Sequence, residues 1–175
     1  RAGTRVLPFN DLELVRRLFR RMGNQIAAII VEPILGNCFA IMPEPGYLEG
    51  LRAICDEYES ILIFDEVKTG FRIGLGGAQA HFGVTPDLAT YAKAMGNAFP
   101  VAAIAGRGEV IQAWAKGGIG QAGTYNANGA SMGAVVATQK ILATGEPYRV
   151  IERHGQALMA GFASICAEQG VPAHL

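Results

Sequence analysis

IAAIIVEP at residues 26–33, YLEGLRAICDEY at 47–58 and SILIFDE at 60–66 are the stretches that decide the fold. The first and third are short apolar runs, stopped by Glu32-Pro33 and by Asp65-Glu66. The first run, by its length and composition, suits a strand buried on both faces. The segment between them follows a loop rich in glycine and proline (Gly36, Pro43, Pro45, Gly46), and Tyr47 to Tyr58 reads as a helix. Strand, helix, strand in this order is one unit of a parallel α/β sheet.

The same reading extends outward from this unit. Upstream, Asn10-Asp11 opens a predicted helix, Asp11 to Met22, with Leu14, Val15, Leu18 and Phe19 on one face and Gly23-Asn24 at its end. Arg16, Arg17, Arg20 and Arg21 fall on the same helix and read as a solvated face. Downstream of Asp65 the chain is glycine-rich up to Gly83. Short apolar stretches follow at Leu88 to Ala92 and Val101 to Ala105, and two more helices are predicted, Ser131 to Ala143 and Tyr148 to Gln169. The break at Gly145-Glu146-Pro147 divides the expectation in two: residues 1–145 as part of a large domain, 146–175 as the start of a small one.

Half of the 175 residues are hydrophobic, enough for one sizeable core. Fifteen basic residues balance fifteen acidic ones, so no general attraction to nucleic acid or to an anionic membrane is expected. Cys38, Cys55 and Cys166 are odd in number and widely spaced, and His81, His154 and His174 are scattered. Neither a disulfide framework nor a metal site follows from such spacing. No apolar run is long enough to span a bilayer. The opening RAGTRVLPFN has no apolar core of a signal peptide and no initiator methionine. A reducing, cytoplasmic setting and a fragment of a longer chain are the expectations.

Ligands of open α/β sheets sit beyond the carboxyl ends of the strands. That directs attention to Glu32 to Asn37, Asp65 to Gly70, Lys93 to Asn97, and Gly106. Glu32 is read as structural, holding a strand end and its loop. Asp65 follows a buried strand, where a carboxylate is costly without a cationic partner; Arg72 is one candidate for that partner. ILIFDE also reads as a Walker B acid, but that needs a G-x-x-x-x-G-K-[ST] loop upstream, and the sequence has none. Lys93, in YAKAMGNAFP, lies between a short apolar stretch and a glycine turn, and Lys68 is its rival by closeness to Asp65.

VEPILGN (31–37), LIFDEVKTGFRIGLGGAQAHFGVTPDL (62–88), YAKAMGNAFPVAAIAGR (91–107) and QAGTYNANGASMGA (121–134) together resemble the class III aminotransferases. Within that family they are most like the glutamate-1-semialdehyde 2,1-aminomutase branch. The resemblance runs from about Phe9 to the end and is strongest from Ile29 to Ala143. It implies the fold of type I pyridoxal-phosphate (PLP) enzymes, with this chain as a partial large domain, a parallel-rich sheet flanked by helices. It implies PLP as cofactor, a small amino or keto substrate, and a homodimer.

The resemblance also implies roles for residues. Asp65 would pair with the pyridine nitrogen and keep it protonated, which makes the ring the better electron sink. Val67 would lie against the ring face. Lys93 would hold the cofactor as a Schiff base and, once displaced, act as general base. Thr124 would serve the cofactor phosphate of the neighbouring subunit. Many relatives carry a glutamine that contacts the ring hydroxyl where this chain has Lys68; in the aminomutase branch the asparagine of EPxxGN is the substitute, here Asn37, so Lys68 is expected to point elsewhere. Gly129 stands where relatives have proline, which loosens the expected helix start. The phosphate-cradling loop and the ring-stacking aromatic are expected upstream of this chain. Three readings of activity follow: a transaminase, an aminomutase moving an amino group within one substrate, or a folded or dimerising module without catalysis.

Overall fold

The computed structural model describes residues 3–120 and 122–172; Gln121 and His174, both within the readings above, lie outside them. Helix α1 spans Leu12–Met22, and Asp11 caps it by accepting the Leu14 N–H at 2.8 Å. Strand β1 is Ala28–Val31, α2 is Tyr47–Glu57 and β2 is Ile61–Asp65. The short helix α3, Gly77–Phe82, leads to β3, Leu88–Tyr91, and β4 is Ala103–Gly106. Helices α4 (Gly108–Lys116), α5 (Gly129–Leu142) and α6 (Glu146–Glu168) complete the order. The sheet runs β1-β2-β3-β4, its first three strands parallel and β4 antiparallel to β3.

Strand alternation decides what each face carries. Leu62 and Phe64 point to the side covered by α1 and α2, where they meet Val15, Phe19, Leu48, Leu51 and Ile54. Each such fully buried side chain contributes about 1.5–3 kcal/mol of transfer free energy. Ile61, Ile63 and Asp65 point the other way. Ile63 is flanked there by Ile30 and Leu88, and Asp65 by Thr90 and, one strand further, Ile104. This second face is open: Ile30 is 66% exposed. The expectation of a first strand buried on both faces is therefore corrected, because α1 and α2 pack against the same side. That strand is also shorter than the run from Ile26 to Pro33 suggested.

Asp87, 2% exposed, ties the elements together. Its carboxylate accepts the Leu62 N–H at 2.7 Å, Arg52 at 2.7 Å and Arg107 at 2.9 Å, so β2, α2 and the chain leaving β4 share one anion. Burial, the largest single influence, pushes its pKa up. The Leu62 N–H, Arg52 and Arg107 more than offset this, and the net direction is down. Burial pushes the Cys55 thiol up to about 11, which leaves it an inert core residue.

Helices α3 and α4 have no counterpart in the sequence reading. The first opens on Gly76-Gly77, and neither has a capping side chain just ahead of it. Gly129 does begin α5, where Asn128 accepts the Ala130 and Ser131 N–H groups and compensates for the missing proline. No helix among the described residues is long and apolar enough to cross a membrane, and no group of His, Cys, Asp and Glu among them could hold a metal ion.

Candidate functional site

Because β1, β2 and β3 are parallel, their carboxyl ends fall on one edge of the sheet. Asp65 is the last residue of β2 and half-buried. Its Oδ1 accepts the Val67 N–H at 3.0 Å and the Thr90 hydroxyl at 3.2 Å. Its Oδ2 has no partner among the described residues, and no lysine or arginine among them pairs with it. The pairing with Arg72 considered above is not formed. Thr90, which sequence reasoning did not single out, sits beside Asp65 by register and sets which carboxylate oxygen stays free.

Lys93 follows β3 by two residues and opens a 3-10 turn, Lys93–Met95. Its side chain is exposed, and its backbone has φ +45°. The left-handed region costs a non-glycine residue about 1 kcal/mol, and such strain persists only where the surroundings impose it. They do so here. The Lys93 carbonyl accepts the Gly96 and Asn97 N–H groups at 3.1 and 3.0 Å. From α5, Gln139 donates to the Met95 carbonyl at 3.1 Å and Ser131 to the Pro100 carbonyl at 3.0 Å.

Between these two residues lies a buried network that the sequence did not reveal. Glu66, 0% exposed, accepts the Ala78 N–H at 2.6 Å and the Thr69 hydroxyl at 3.1 Å on one oxygen. Its other oxygen accepts the Gln79 side-chain amide at 3.0 Å. The same Gln79 nitrogen donates to the Tyr91 hydroxyl at 2.6 Å. The end of β2, the start of α3 and the end of β3 are thereby joined. The Gly76-Gly77 pair is the one sequence feature that could have pointed to it, since Gly77 has φ +58° and faces the Glu66 carboxylate.

The loop after β1 meets the turn after β2. Glu32 accepts the Gly36 N–H at 3.2 Å, consistent with its structural reading. Lys68 donates to the Gly36 carbonyl at 2.9 Å and to the Asn37 side-chain oxygen. Lys68 thereby holds Asn37, a contact that the sequence reading did not anticipate. The reason is steric as well as polar: Gly36 has no side chain, and the Lys68 stem occupies the space one would take. Thr124 is exposed in the turn that precedes α5, next to Tyr125, which is 83% exposed. Apart from these, a cavity of about 240 Å³ lies between the Lys93 turn and the start of α6, lined by Phe71, Ala94, Asn97 and Tyr148 among others.

A mostly parallel sheet with a free carboxylate and a strained lysine at adjacent strand ends defines a class of enzyme scaffold, and the comparisons with known proteins name it. The family model "Aminotransferase class-III" matches residues 4–174. The chain belongs to the class III aminotransferase family. It is 49% identical over 172 residues to a glutamate-1-semialdehyde 2,1-aminomutase of Desulfovibrio desulfuricans, covering 98% of this chain and 40% of that protein. Among solved structures, it superposes on a transaminase with PLP bound at a TM-score of 0.88 and 28% identity, over 97% of this chain and 40% of the other. An omega-transaminase of Sphaerobacter thermophilus gives 0.84 at 36% identity, over 95% and 39%. The fold expected from the resemblance is the fold found. The chain spans about 40% of the length of the curated relative it matches.

Proposed function

We propose that the protein to which this chain belongs is a PLP-dependent aminotransferase, with Lys93 and Asp65 as its catalytic pair. The observation that carries the reading is their placement on neighbouring parallel strand ends, with one Asp65 oxygen held by Val67 and Thr90 and the other free. A half-buried carboxylate with a spare oxygen and no cation beside it among the described residues suits a positively charged ring nitrogen. When bound, the cofactor supplies an electron sink for charge developed at the substrate carbon.

The residues of this chain do the rest. Asp65 holds the proton on the ring nitrogen by its charge. Val67 covers a ring face and excludes water. Lys93 would hold the cofactor through its amine, and the same amine would move a proton at the reacting carbon. Asn37 contacts the ring. Thr124 serves the phosphate in the partner subunit of a homodimer, in keeping with its exposed, polar turn. Residues 1–145 form part of the large domain and 146–175 begin the small one, a division that the positive φ of Gly145, +74°, supports. The setting is cytoplasmic, and the substrate is a small amino or keto compound.

The aminomutase activity is the second reading, favoured by the 49% identity to the Desulfovibrio protein. It needs no separate keto acid, so turnover with a single substrate separates the two. Borohydride trapping of the cofactor and peptide mapping of the full-length protein test the core assignment. The label is expected on Lys93, and a label on Lys68 overturns it. The placement of Thr124 is tested by co-assembling a Lys93→Ala chain with a Thr124→Ala chain. Activity should recover in the mixed dimers, and no recovery there removes Thr124 from the partner's site.

A further inference from the structure

Lys68 has a donor arrangement that fixes its neighbour. Its stem crosses Gly36 so closely that a Cβ there would lie 2.4 Å from the Lys68 Cδ. Its Nζ then reaches the Gly36 carbonyl at 2.9 Å and the Asn37 side-chain oxygen. An ammonium has three donors and no acceptor. The Asn37 amide must therefore present its oxygen to Lys68, because the flipped amide would set NH2 against NH3+. That leaves Asn37 Nδ2, which has no partner among the described residues, as the group the amide can offer elsewhere. Glu32 holds the same loop through the Gly36 N–H at 3.2 Å, so the backbone under Asn37 is fixed from a second side.

We propose that Lys68 is a positioning residue that locks the Asn37 amide, so that Asn37 meets the bound molecule as a donor and never as an acceptor. The group it meets is then a hydrogen-bond acceptor. A negatively charged oxygen suits it best, since the nearby ammonium raises the local potential. The inference rests on the reading of Asn37 as a cofactor contact and goes beyond it: without Lys68 the amide is free to rotate, and half of its orientations offer the wrong atom.

The test uses the full-length protein and four variants: Asn37→Ala, Lys68→Met, Lys68→Arg and the Asn37→Ala/Lys68→Met double. Lys68→Met keeps an apolar stem over Gly36 and removes the donors; Lys68→Arg keeps donors. The readouts are the PLP dissociation constant by equilibrium dialysis and the visible absorption maximum of the bound cofactor. Asn37→Ala is expected to weaken binding about tenfold, the equivalent of one hydrogen bond. Lys68→Met should weaken it about three- to tenfold and shift the band in the same direction, and Lys68→Arg should recover most of both. The double variant should be no weaker than Asn37→Ala alone, because Lys68 acts through Asn37. Additive losses, or a Lys68→Met protein with wild-type affinity and band beside a weakened Asn37→Ala, overturn the proposal while leaving the cofactor reading intact. An Asn37→Ala protein that binds and absorbs like wild type overturns the reading of Asn37 itself, and the role of Lys68 with it.

Discussion

Replacing Gly77 by alanine tests the buried network beside Asp65, and Gly83 supplies its control. Both glycines have left-handed backbones, at φ +58° and +69°. Alanine there costs about 1 kcal/mol at either position from the backbone alone. The surroundings differ. A Cβ on Gly83 meets nothing within 4 Å, whereas on Gly77 it falls 2.3 Å from the Glu66 Oε2. That oxygen is held by the Ala78 N–H at 2.6 Å and the Thr69 hydroxyl at 3.1 Å, so the carboxylate must leave at least one of them to make room. A hydrogen bond to a charged group is worth about 1.5–3 kcal/mol. Gly77→Ala should therefore cost about 2.5–4 kcal/mol and Gly83→Ala about 1 kcal/mol. A large multidomain protein does not unfold in two states, so a local measurement is the right one. Hydrogen–deuterium exchange of the peptide covering α3 should speed up at least about tenfold more in Gly77→Ala than in Gly83→Ala, since 1.4 kcal/mol is a factor of ten. Equal acceleration in the two variants would refute the view that the Glu66 carboxylate fills the Gly77 site.

Two further outcomes are expected. Asp65→Asn should keep its fold, since the amide oxygen still accepts from Val67 and Thr90, yet lose about a hundredfold or more in turnover because an amide carries no charge to hold a ring proton; turnover within a few-fold of wild type, with cofactor bound, would contradict the role. Asp87→Asn should lower stability at neutral pH by about 2 kcal/mol. Because the native Asp87 pKa is depressed, its contribution is complete above the ordinary carboxylate range near about 4 and disappears as pH falls through the lower native value. The gap between wild type and variant should narrow on acidification from pH 6 to pH 3, as followed by hydrogen–deuterium exchange of the peptide covering β2, compared between the two proteins at each pH, and a constant gap would speak against the depressed pKa.

How much was legible depended on the range of the interactions. The β1–α2–β2 unit could be read because its periods and stops are local: Pro33 and Asp65 close the runs, and Asp11 caps α1 as a helix start should. The strand ends followed from that unit, and with them the positions of Asp65 and Lys93. By position alone Lys93 and Lys68 were rivals; only the ordered motifs lifted Lys93 above Lys68. The unreadable parts are set by partners distant in sequence. Helix α3 begins where Glu66 accepts the Ala78 and Gln79 N–H groups, twelve and thirteen residues after it in the chain, so no capping pattern precedes it. Thr90 reaches Asp65 across a strand register that the sequence does not state. Lys68 reaches Asn37 only because Gly36 lets it pass.

The adjacent carboxylates Asp65 and Glu66 show how the fold divides chemistry from support. One residue apart, they stand on opposite sides of the strand end, so each meets a different set of donors. Glu66 turns inward and meets donors on both oxygens: Ala78 and Thr69 on one, the backbone and side-chain amides of Gln79 on the other. A carboxylate so saturated has no lone pair left for a ligand, and Gln79, spending its second hydrogen on Tyr91, spreads that fixity to the strand that leads into Lys93. Asp65 faces the open side and meets donors on one oxygen only. Its second oxygen is the unspent one. A register slip of a single residue would exchange the two environments, burying the free acid and exposing the anchored one. Donor accounting at the end of β2, rather than residue type, therefore distinguishes Asp65 from Glu66 as the acid with an oxygen left to offer among the described residues.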